Sequence, residues 1–117
     1  MQPCHGSLES IILNALWDLE KNGIFTNSVR DVYDILSKNK SEQRAYTTLK
    51  TVMDRLVGKK LLMKFKQGRK FFYRTAYSND EVILNFLKII TDRYCGGDFN
   101  RLIEIVNNTY KKNFITA

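Results

Sequence analysis

Between Ala45 and Ala76 the apolar residues change their period, and that change constrains the fold more than any other feature of the chain. In "AYTTLKTVMDRLVGKK" they recur at helical spacing, through Leu49, Val52, Met53, Leu56 and Val57. From Leu61 onward the period is roughly two, through "LLMKFK", the turn "QGRK" and "FFYRTA". Gly68 can supply a positive φ at little cost, so this second stretch predicts a β-hairpin with a basic tip. A helix is therefore followed at once by a pair of strands.

Two more helices are expected upstream. Ser7 can cap the first, whose face is Leu8, Ile11, Ile12, Ala15, Leu16 and Leu19, with Gly23 as its stop. Thr26 or Asn27 caps a shorter one with Val29, Val32, Tyr33 and Leu36 turned inward, ahead of the polar stretch "SKNKSE". Three helices and then a hairpin is the order of a winged helix, a mainly α chain with a small β-hairpin (α+β). Downstream, "SNDE" is a capping box that opens a long helix carrying Val82, Ile83, Leu84, Phe86, Leu87, Ile89, Ile90 and Tyr94. After Gly96 and Gly97 comes a final amphipathic helix with Phe99, Leu102, Ile103, Ile105 and Val106. The expected organisation is a winged-helix domain over residues 1–77 and a helical dimerisation region over 78–117. The apolar surplus of the second part, Phe86, Ile90, Tyr94, Phe99 and Ile103, predicts a homodimer.

Composition removes several classes of function. With 117 residues the chain is near the size of one domain. Its most apolar stretch, "VILNFLKIITDRY", is broken by Asn85, Lys88 and Asp92, so no membrane insertion is expected, and the start "MQPCHGSLES" lacks an apolar signal core. Cys4 and Cys95 form no CxxC or Cys/His cluster, so no disulfide framework and no metal site is expected, and a reduced cytoplasmic protein is the reading. His5 is the only histidine, without a nucleophile or carboxylate pair beside it, and the glycines build no phosphate-cradling loop. No enzyme and no cofactor is expected.

Charge points elsewhere. Of the formal +7, the segment from Lys38 to Arg74 carries twelve basic residues against Glu42 and Asp54, while the remainder of the chain is net acidic. Segregation of this kind concentrates positive potential on one structural unit and fits a polyanionic partner. Among the aromatics, Trp17 lies one step along an apolar face and reads as partly buried core. Phe71, Phe72 and Tyr73 read as hairpin residues that divide between core and surface, since a base-stacking platform needs more than two strands.

On a helical wheel Thr47, Thr51 and Asp54 oppose the core stripe of the third helix, with Lys50 and Arg55 beside them. Threonine costs helix propensity. In a major groove, however, its methyl and hydroxyl can meet base edges, and Lys or Arg can reach guanine or the backbone. Tyr46, Thr47, Thr48, Lys50 and Thr51, in the first turns, are the candidate base-reading residues. Arg44, Arg55, Lys66, Arg69 and Lys70 are the candidates for phosphate. The competing reading is a winged-helix module that binds a protein partner and uses its charge against an acidic surface.

The stretches "LESIILNALWDLEKNG", "AYTTLKTVMDRLVGKKLL", "KQGRKFFYR" and "DRYCGGDFNRLI" resemble the penicillinase-repressor and methicillin-resistance-repressor family of winged-helix transcriptional regulators (the BlaI/MecI/CopY type). The resemblance implies a repressor that binds palindromic double-stranded operator DNA through the third helix, as a homodimer held by the C-terminal helices. It also brings in a membrane sensor protease as a partner for many members. The Asn-Phe pair at which some members are cut is absent from the matching place, which reads Glu104-Ile105-Val106, and the copper-responsive cysteine motif is absent as well. Two further departures bear on folding. The family's usual Lys-Lys-Gly exit from the third helix is Gly58-Lys59-Lys60, so either the helix stops earlier or Lys60 turns left-handed, and a proline common after the wing Tyr-Arg is Thr75.

Overall fold

The computed structural model describes residues 6–110, with side chains through Thr109, so Cys4 and His5 lie outside the described residues. In order the elements are α1 (Ser7–Lys21), α2 (Val29–Leu36), α3 (Tyr46–Gly58), β1 (Leu62–Gln67), β2 (Lys70–Thr75), α4 (Asn79–Tyr94) and α5 (Phe99–Tyr110). The α+β winged-helix class read from the sequence is the one observed. By contacts the chain divides between Glu81 and Val82 into two compact units.

In the first unit, α1 packs on α2, α3 and β2, and α3 packs on β1. The core is made of Ile12, Leu13 and Leu16 from α1, Val32 and Leu36 from α2, Leu49, Met53 and Leu56 from α3, and Leu61, Leu62 and Tyr73 around the hairpin. Each large aliphatic side chain taken fully from water in this way stabilises by about 1.5 to 3 kcal/mol. Glu9 is buried among them because the Lys59 ammonium lies 3.0 Å from both of its carboxylate oxygens, which fastens the start of α1 to the end of α3.

Helix ends account for two corrections. Gly6, not Ser7, occupies the N-cap of α1 and offers no side-chain bond, and Ser7 is already helical. The cap of α2 is neither Thr26 nor Asn27 but Ser28, whose hydroxyl accepts from the Asp31 N–H in a capping box. Asn27 is drawn into the core instead, where its carbonyl accepts from the Tyr73 N–H at 2.7 Å and its amide donates to the Ile24 carbonyl. The Ser78–Glu81 box at α4 forms as expected.

The unusual exit of α3 resolves in favour of strain. Lys60 adopts φ 63°, its N–H bonding to the Val57 carbonyl while Leu61 N–H reaches back to Leu56, both at 2.9 Å. That is a Schellman closure with lysine where glycine is the favoured residue. Gly58 stays inside the helix, where its flexibility serves no turn. The hairpin pairs Leu62 with Thr75 through Gln67 with Lys70, leaving a two-residue turn whose first residue is Gly68 at φ +62°. Thr75, in place of a proline, donates both its N–H and its hydroxyl to Glu20 of α1, and proline could not supply that N–H.

The second unit holds α4 from Val82 onward and α5. Leu87, Phe99, Leu102, Ile103 and Val106 line an apolar cleft of ≈ 280 Å³ in it. Among the described residues no helix is long and apolar enough to cross a membrane.

Candidate nucleic-acid interface

The core stripe of α3 fixes which side remains for other work. With Leu49, Val52, Met53 and Leu56 buried, Tyr46, Thr47, Thr48, Lys50, Thr51 and Arg55 are all exposed. Their chemistry is more specific than exposure alone. The Thr51 hydroxyl donates to the Thr47 carbonyl at 2.9 Å, so its proton is in use and it faces outward as an acceptor with a methyl group. The Tyr46 ring meets Tyr33 of α2 edge-on, with centroids 6.0 Å apart. That contact fixes the first turn of α3 against its neighbour.

The basic residues fall into two groups. Arg55, Arg69 and Lys70 are exposed and form no ion pair among the described residues, and Lys66 has its ammonium 5.6 Å from the centre of the Phe71 ring. Arg44 is more constrained. Its guanidinium donates to the Ser41 and Gln43 carbonyls in the loop before α3. The hairpin aromatics divide as expected, with Tyr73 in the core and Phe71 half exposed. Trp17 is part-buried, its ring N–H donating to the Tyr77 carbonyl at 2.9 Å.

What the sequence reading overlooks is the junction between α3 and the hairpin. Asp54 takes three donors: Lys50 on one carboxylate oxygen at 2.9 Å, and Lys64 and the Tyr73 hydroxyl on the other at 3.0 and 2.7 Å. Lys64 also lies 4.8 Å from the Phe71 ring centre. Partial burial alone would raise the Asp54 carboxyl, but the hydrogen bonds from Lys50, Tyr73 and Lys64 outweigh it and hold its pKa down at about 2. Burial, together with the facing carboxylate, pushes the Tyr73 hydroxyl well above its usual range. The Lys50 ammonium is raised by its bond to Asp54. Asp54 is the one acid between Tyr46 and Thr75, and its isolation in so basic a stretch is the signal that would have marked it as partnered. Beside this junction Ser28, Arg30, Tyr46, Lys50, Lys70 and Phe71 border a cleft of ≈ 330 Å³.

Against known families, the penicillinase repressor model matches residues 5–113. The chain belongs to the penicillinase repressor family. Two relatives named transcriptional regulator BlaI, from Mycobacterium tuberculosis strains CDC 1551 / Oshkosh and ATCC 25618 / H37Rv, are each 29% identical over 82 residues, covering 70% of this chain and 55% of theirs. The chain thus spans about half the length of the curated relatives it matches. In this penicillinase repressor family member, no group of three or more His, Cys, Asp or Glu among the described residues could hold a metal ion.

Proposed function

We propose that the chain is a transcriptional repressor that binds duplex DNA, with α3 in the major groove and the hairpin tip against the backbone. The observation that carries this reading is the division of α3 into a buried apolar stripe and an exposed side of threonines, tyrosine and lysine, within the Lys38–Arg74 segment where twelve basic residues face only Glu42 and Asp54. Tyr46, Thr47, Thr48, Lys50 and Thr51 supply base contacts in this proposal, while Arg55, Lys66, Arg69 and Lys70 hold phosphates. Arg44 joins them only by giving up its bonds to loop carbonyls. Residues 1–77 form the binding domain and 78–117 the dimerisation region, and the partner DNA is palindromic to match the two-fold pair. Family membership supports the regulatory role. Selection of bound duplexes from a random pool, followed by titration at several salt concentrations, tests it: a recovered inverted repeat and a steep log–log salt dependence are expected. Recovery of no preferred sequence overturns it.

A further inference from the structure

Asp54 runs against the electrostatics of its own helix. It pairs with Lys50 in the less favourable order, the cation N-terminal to the anion. Its two oxygens do different things. One accepts from Lys64 of β1 and Tyr73 of β2 and so joins α3 to the hairpin, whereas the other holds only Lys50. The joint does not need that second contact.

Resting on the DNA-binding reading above, we propose that Asp54 is a specificity-determining residue of the interface, acting by tethering Lys50. An unpaired lysine on a basic surface sweeps its ammonium to any phosphate within reach, which adds affinity for every sequence alike. With its ammonium held at 2.9 Å by Asp54, Lys50 gains little at a phosphate, because the neighbouring carboxylate offsets its charge and repels the anionic backbone. At a base edge the balance differs. The ammonium has three donors, and two of them have no protein partner among the described residues, so it can keep Asp54 and still bond the paired acceptors of a guanine. The tether also fixes the side chain before the base arrives, which lowers the ordering cost of that contact.

The test is Asp54→Asn, which keeps an oxygen for Tyr73 while removing the charge. Affinities for a selected duplex and for a scrambled one are measured across salt, with thermal melting confirming that the variant folds. Binding to the scrambled duplex should tighten by roughly three- to tenfold at 50 mM salt, with a slope steeper by about one unit, while binding to the selected duplex changes less. The ratio of the two affinities therefore drops. In a Lys50→Ala background the same Asp54→Asn change should leave the ratio almost unmoved. A ratio equal to wild type in the single variant, or an equal drop with and without Lys50, overturns the tether while leaving the DNA reading intact. A wild-type protein that binds both duplexes equally overturns the reading and the tether together.

Discussion

Asp54 gives the chain an acid-sensitive joint between its third helix and its hairpin. The folded carboxyl titrates at about 2, below the ordinary value of 3.8, so its contribution to stability is complete above pH ~4 and is lost as pH falls toward 2. With 38% of the side chain exposed, solvent screening holds that contribution to about 1 kcal/mol. Thermal melting of wild type and Asp54→Asn should differ at pH 6 and converge near pH 2. A constant difference across that window would assign the effect to something other than this carboxyl. The two sides of α3 separate as cleanly. Thr47→Ala, Lys50→Ala and Thr51→Ala should melt close to wild type, because all three are exposed, yet each should cost roughly 1 to 3 kcal/mol of discrimination between a selected and a scrambled duplex. Leu56→Ala, fully buried, should lose on the order of 2 to 5 kcal/mol of stability.

At the level of elements, the exit of α3 stores a correctable strain. Lys60 is left-handed and Gly58 is helical, the reverse of what each residue prefers. A Cβ on Gly58 would meet nothing within 4 Å. Exchanging preferences through Gly58→Ala with Lys60→Gly should therefore stabilise by about 1 to 2 kcal/mol, read as a higher denaturant midpoint at unchanged slope. At the hairpin, Arg69→Ala with Lys70→Ala should weaken selected and random duplexes by similar factors and flatten the salt slope by up to about two units. Loss of selected binding alone would make the hairpin a base reader. The order of helices and hairpin is legible in the sequence because each element buries one face and so writes its own period. Cap positions are less so, since Thr26, Asn27 and Ser28 are all competent caps. Only the pairing of Asn27 with Tyr73, forty-six positions away, decides among them. The Asp54 junction is hidden for the same reason: Lys64 and Tyr73 reach it from a hairpin whose docking against α3 no local pattern reveals. Glu9 looks like a solvated residue until Lys59 is placed beside it.

At the scale of the whole molecule, the second unit leaves much of its apolar surface open. Ile90, Tyr94, Phe99 and Ile103 are 37 to 81% exposed, and Leu84, Ile105 and Val106 are open as well, while Phe86 is only part-buried. Light scattering at micromolar concentration should report a mass near twice 13.7 kDa, and a clean monomer would remove the dimerisation proposal. That exposed stripe has a consequence for dosage. A chain whose apolar side is satisfied only by a second copy exists in a monomer–dimer balance, and the dimer population at low abundance rises with the square of the monomer concentration. In the proposed dimer, joined copies would meet the second half of an inverted repeat as an intramolecular event, turning a modest single-site affinity into a tight one. Occupancy of the DNA would then respond to the cell's supply of the protein as a threshold, with halving the supply costing more than half of the bound population.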